Sequence, residues 1–131
     1  MRPVTRAWVR KAEEDRRALL QLRAASPTVH SAVCFHCQQM AEKYLKALGI
    51  EHRLAMPRTH DCEALILLLL PIDPQLVRLR RAALGLSRFA VDPRYPFERV
   101  KPNASRARSA WNGAERIRAE VRRRLGLRPR P

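Results

Sequence analysis

Glycine is scarce in this chain, with four residues in 131. Aromatic residues amount to 5% and cysteines to three. Few glycines beside abundant Ala, Leu and Arg favour helix over sheet. The low aromatic share, against 46% apolar residues, points to an aliphatic core. An odd number of cysteines fits reduced thiols rather than a disulfide framework. Long hydrophobic runs are missing too: the longest purely apolar stretch, residues 64–70, is far shorter than the roughly 20 residues of a membrane span. The opening Met-Arg-Pro-Val-Thr-Arg has no apolar h-region, so a cytoplasmic protein with no membrane association is expected. There is no GxGxxG, Walker-type loop, HExxH or GxSxG. This argues against a conventional dehydrogenase, ATPase, zinc protease or lipase-like hydrolase, and no cofactor is expected.

Acidic residues are also in short supply, 12 against 27 basic ones, for a formal charge of +15. Such a field attracts nucleic acid, nucleotides, an acidic partner or an anionic surface. A GC-rich coding bias would leave the same Arg-rich, Ala-rich signature without any binding surface. The length fits one helical domain over residues 1–131.

Hydrophobic periodicity predicts five helices. The first runs from about Thr5, as N-cap, to Ala25, with Trp8, Ala12, Asp15, Leu19 and Leu22 on one face. The second runs from about Val29 to Leu48, with Gly49 as its C-cap. Thr59 or Asp61 caps a third helix that ends near Leu70, before Pro71. A fourth begins at Asp73-Pro74 and ends near Ala90. Residues 91–104 read as a Pro-rich ordered loop. A fifth helix spans about Ser105 to Leu125, and the tail from Gly126 is expected to fray. The sum is an all-α, antiparallel four- to five-helix bundle with short connections.

Several residues could carry chemistry. His36, Gln39, Lys43 and Lys46 form a polar row on the second helix, suited to a nucleotide or RNA backbone, or else to plain solvation. Glu42 precedes Lys46 by four, the favourable ion-pair order. Gln38, on the apolar side, reads as an interior hydrogen-bonding residue. Asp15 sits in a core-facing row and needs a partner, either as the orienting acid of a polar cluster or as a buried structural pair. His60-Asp61 marks a helix start, where free backbone N–H groups can hold a phosphate or simply be capped. Arg94 could grip a phosphate and Tyr95 stack on a base; alternatively both anchor the loop. The CxxC at Cys34–Cys37 lies mid-helix beside the apolar face, which reads as packing rather than as zinc or redox chemistry, and no metal site is expected. Nine arginines between 106 and 131 stand against Glu115 and Glu120, giving either a polyanion-binding surface or a solvated face.

The order of these elements resembles the HEPN domain family. The resemblance rests on Ala12 and Asp15 in the first helix, then Gln38-Gln39-Met40-Ala41-Glu42-Lys43-Tyr44-Leu45-Lys46-Ala47, then Thr59-His60, then Arg94-Tyr95-Pro96. It spans roughly residues 5–125, and Met40 and Cys37 replace usual small residues. It implies a four- or five-helix bundle that often dimerises and associates with nucleotides or RNA. Many members pair with a minimal nucleotidyltransferase as toxin and antitoxin. Others are metal-independent endoribonucleases with an Arg-x(4–6)-His motif in a late helix. Here that spacing occurs only at Arg23–His30 and Arg53–His60, neither in a late helix.

Three functions are therefore open. The first is a dimeric binding module for nucleotide or RNA phosphates with a nucleotidyltransferase partner. Its contacts would come from His36, Gln39, Lys43, Lys46 and Tyr95, with Asp15 and Glu42 ordering the site. The second is an endoribonuclease acting through His60 and Arg94. The third is a scaffold.

Overall fold

Pro3 needs no backbone donor in a first helical turn and has its φ preset for one. In the computed structural model, which describes residues 1–89 and 102–129, α1 begins there and spans Pro3–Ala24. It is followed by α2 (His30–Glu51), α3 (Cys62–Leu69), α4 (Arg80–Ser87) and α5 (Ala104–Arg124). A 3₁₀ turn, Pro74–Leu79, leads into α4. No strand occurs among the described residues, and the expected all-α bundle is what forms. None of these helices is long and apolar enough to cross a membrane.

The chain departs from its expected boundaries for identifiable reasons. Thr5 is not the N-cap of α1: it is buried in the first turn, and its hydroxyl donates to Glu51 at the far end of α2 (2.8 Å). Gly49 does not end α2 either. It is buried inside the helix because Met56 folds back over it, and a Cβ there would stand 2.2 Å from the Met56 sulfur. The helix stops two residues later in a Schellman motif, with Leu54 N–H donating to Gly49 C=O (3.0 Å) and Arg53 N–H to Ile50 C=O (3.0 Å). The left-handed position falls on Arg53 (φ 62°). α5 ends the same way, with glycine in that role at Gly126 (φ 71°).

Asp61 does cap α3, accepting from Ala64 N–H at 3.2 Å. The continuous fourth helix expected from Asp73 to Ala90 is divided. Its first six residues wind with threefold repeat, which buries Leu76 and Leu79 in line with Ala83 and Leu86 and turns Val77 and Leu84 outward. The tail expected to fray folds back as far as residue 129. Leu127 packs on the core, and the Arg122 guanidinium donates to Arg128 C=O (2.8 Å).

Position in the bundle decides what each helix buries. α2 packs against α1, α3, α4 and α5, so it is covered on more than one side. Every residue from Tyr44 to Gly49 is buried. α1 and α5 flank it and reach each other through long ion pairs: Arg118 to Glu13 (2.8 Å) and Arg16 to Glu115 (2.7 Å). Trp8 and Trp111 sit at the margin of the core, each under a cation, Lys46 and Arg23 respectively.

Candidate functional site: two carboxylate-held histidines beside the central helix

A helix repeats its face every three to four residues, so 36, 39, 43 and 46 align as one row on α2. α1 lies along α2, and Asp15 meets the start of that row. One carboxylate oxygen of Asp15 stands 2.8 Å from His36 Nδ1, and the other accepts from Lys43 Nζ at 2.5 Å. Asp15 thus has the partner its core-facing position demanded.

A second carboxylate organises the other half of the site. Glu42, its side chain 5% exposed, accepts from Lys46 Nζ (3.0 Å) and Gln38 Nε2 (3.0 Å) and stands 2.8 Å from His60 Nδ1. Gln38 also donates to His60 C=O (2.8 Å) and accepts from Gln39 Nε2 (2.7 Å). It is the interior hydrogen-bonding residue its position suggested, and it ties the loop before α3 to α2. The buried thiol of Cys62 lies beside it, 3.8 Å from Nε2. Burial, reinforced by the Glu42 charge, pushes that thiol up to about 12.

The two pairs share one geometry. Each imidazole presents Nδ1 to a carboxylate, which fixes ring orientation and favours Nδ1–H donation in the neutral ring. Nε2 of each ring has no protein partner among the described residues. The rings differ in access: the His60 side chain is 64% exposed and the His36 side chain 32%. An oriented imidazole with an accessible Nε2 can accept or donate a proton, or hydrogen-bond a phosphate oxygen.

The lysines are placed differently from a solvated row. Lys46 is buried against Glu42 and lies over the Trp8 ring (5.6 Å), because α2 is covered on that side. Lys43 is half-buried and held by Asp15. With both amines matched to carboxylates, the cluster is close to electroneutral when its imidazoles are neutral. Arg94 and Tyr95 lie outside the described residues. The end of α4 does reach this region, since Ser87 Oγ donates to Asp61 (3.1 Å), the residue after His60.

Cys34 and Cys37 form no disulfide and are buried in the core cluster. Burial, with Cys34 as neighbour, pushes the Cys37 thiol far above its ordinary value. No group of three or more His, Cys, Asp or Glu side chains suited to a metal ion occurs among the described residues.

Sequence reasoning missed a second polar cluster between α1 and α5. Glu13 accepts from Arg118 (Nε 3.0 Å, Nη2 2.8 Å), Arg122 stands 3.6 Å away, and Arg122 donates to Tyr44 Oη (3.2 Å). Burial opposes the Glu13 charge. Hydrogen bonds from Arg118 and Tyr44, with the two guanidinium charges, outweigh it and hold the carboxyl below its ordinary value. The signal for this cluster was the i, i+4 spacing of Arg118 and Arg122, which reads equally well as a solvated face.

A bundle whose central helix holds two carboxylate–imidazole pairs, one ring open to solvent, defines a class of small helical domain with a polar site beside its core. The HEPN domain family matches residues 5–124, and the chain belongs to it. No curated protein and no solved structure matches the chain.

Proposed function

We propose that the chain is a HEPN-domain binding module for nucleotide or RNA phosphates, acting as a homodimer beside a minimal nucleotidyltransferase in a toxin–antitoxin-type pair. The observation that carries this reading is where the acidic residues are. Asp15 and Glu42 are consumed at the α2 site, and Glu13, Glu14, Glu51, Glu63, Asp73, Glu115 and Glu120 sit in ion pairs elsewhere. Asp61 is spent on its cap and Ser87. Among the described residues, arginine beyond these pairs is left to solvent, where it is available to a polyanion. His36, Gln39 and His60 supply the polar contacts beside it, Asp15 and Glu42 order them, and Lys43, Lys46 and Tyr95 complete the proposed ligand set. The test is titration of the protein with single-stranded RNA and with nucleotides at increasing salt. Affinity falling with a slope of about −0.7 per phosphate contact is expected; binding that ignores salt, or no binding, contradicts the reading.

The exposure and orientation of His60 favour a second reading, a metal-independent endoribonuclease. His60 Nε2 would take the proton of a ribose 2′-hydroxyl, O2′ would attack the adjacent phosphorus to form a 2′,3′-cyclic phosphate, and the P–O5′ bond would break with the 5′-oxygen taking a proton from water. Arg94 would face the phosphate charge. Total RNA incubated with EDTA separates the readings. Cleavage lowered about 10²-fold or more by His60→Ala in a folded protein supports the enzyme; intact RNA leaves the binding module.

A further inference from the structure

α4 and α5 enclose a cavity of about 510 Å³ that belongs to neither polar cluster. Four arginines rim it: Arg81 and Arg88 from the α4 side, Arg106 and Arg116 from α5. No acidic residue lines it among the described residues. Arg81, Arg88 and Arg116 are exposed and engage no carboxylate among the described residues. The floor is largely apolar. Gly85 and Gly113 supply it from opposite helices, Ala82 lies 3.4 Å from where a Gly113 Cβ would be, and the half-buried Phe89 closes one end. Ser109 and Asn112 add neutral hydrogen-bonding groups.

These features require different parts of one ligand. The guanidiniums call for two or more negative charges, and arginine forks match phosphate oxygens. The apolar lining with an aromatic ring suits a planar ring system, which inorganic phosphate or a polyphosphate lacks. The hydroxyl and amide suit the edge of a base. The volume falls in the range of small-molecule sites, roughly 300–1,000 Å³. A second copy of a +15 chain would bring like charge to a rim that shows no carboxylate among the described residues to receive it.

We infer that the α4–α5 cavity is a nucleoside-phosphate site, with the base on the Gly85–Gly113 floor and the phosphates on Arg81, Arg88 and Arg116. The inference rests on the phosphate-binding reading above and gives it a location apart from the α2 cluster. The groove's Arg88 follows Ser87, whose hydroxyl reaches Asp61, the residue after His60.

The test uses the full chain, with AMP, ATP and a short fluorescent single-stranded RNA as probes. Three proteins are compared with the wild type: Arg81→Ala/Arg88→Ala/Arg116→Ala; Gly85→Leu; and Arg6→Ala/Arg10→Ala/Arg17→Ala, which removes equal charge from exposed positions of α1. Gly85→Leu is the sharpest variant because it keeps every charge and fills the cavity. A Cβ at Gly85 meets nothing within 4 Å, so the fold tolerates it, and helical circular dichroism checks this. Gly85→Leu is expected to weaken binding by about tenfold or more. The groove triple should also flatten the logarithmic salt dependence for RNA by about 2, and the α1 triple should change affinity far less. Competition by AMP or ATP assigns a free nucleotide; binding confined to RNA assigns a strand; either supports the site. Wild-type affinity in folded Gly85→Leu and in the groove triple overturns the site while leaving the binding module standing. An equal loss in the α1 triple also overturns it, since binding is then spread over the surface. If the wild type binds none of the probes, both readings fail. Self-association that Gly85→Leu abolishes, without nucleotide or RNA binding, assigns the cavity to a second copy and overturns the inference.

Discussion

Arg116 and Arg118 stand two residues apart on α5 but belong to different environments. Arg118 is turned inward, its side chain 4% exposed, and is held by Glu13 and Glu115. Arg116 is turned outward onto the α4–α5 cavity, with no carboxylate partner among the described residues. Composition counts both toward the same surplus. The structure shows that helical phase sorts them, one set neutralised inside the α1–α5 seam and the other exposed to solvent. A high net charge is therefore informative only after the internally paired arginines have been set aside.

The largest effect should come from opening the closed side of this comparison. Glu13→Gln leaves the Arg118 and Arg122 charges buried without their carboxylate. It should cost about 3 kcal/mol in urea unfolding near neutral pH; a loss under about 1 kcal/mol would mean that the seam is held by packing alone.

The same substitution predicts a pH dependence. The Glu13 carboxyl titrates lower in the fold than its ordinary value of 4.5, so the ionised form is the one the fold favours. Its contribution is fully present above that value and is lost as pH falls through the lower folded value. The stability gap between wild type and Glu13→Gln should narrow as pH is lowered below about 4.5. A gap that widens would reverse the assigned sign.

Asp15→Asn tests whether the α2 site resembles the seam or the groove. Asp15 is buried, but its partners His36 and Lys43 are partly exposed and can be rehydrated. The expected cost is about 1–2 kcal/mol, between the two extremes. It should be accompanied by a shift of the His36 imidazole signals in NMR; unchanged signals would contradict the pairing.

A smaller effect, of opposite sign, is expected at the end of α2. Arg53 occupies the left-handed position that Gly126 fills at the end of α5. Arg53→Gly should stabilise the protein by about 0.5–1 kcal/mol in the same urea assay; destabilisation would mean that the Arg53 side chain contributes more than its backbone conformation costs.

Much of this architecture was legible in the sequence because local rules acted alone. Pro71, Asp73-Pro74 and the Asp61 cap bound their helices through chemistry contained within a few residues. The interior role of Gln38 followed from a polar residue lying on an apolar face. The rest depended on which neighbours pack where. Lys46 read as solvated because a single stripe was assumed for α2, whereas that helix is covered on more than one side. Gly49 read as a cap because the return of Met56 over it is not local. Glu13 gave no signal, since a carboxylate near a helix surface is ordinary until another helix brings two arginines to it. The cavity was invisible for the same reason: its rim pairs Arg81 and Arg88 with Arg106 and Arg116, from two separate helices.

The comparison is tested most directly by Arg116→Ala beside Arg118→Ala, each assayed for urea stability and for single-stranded RNA affinity. The account predicts a crossed result. Arg118→Ala should lose about 3 kcal/mol of stability while the affinity of the folded fraction is nearly kept. Arg116→Ala should change stability by less than about 0.5 kcal/mol and weaken RNA binding in a salt-dependent way. Equal effects of the two substitutions on both quantities would contradict it, because α5 would then carry one kind of arginine rather than two.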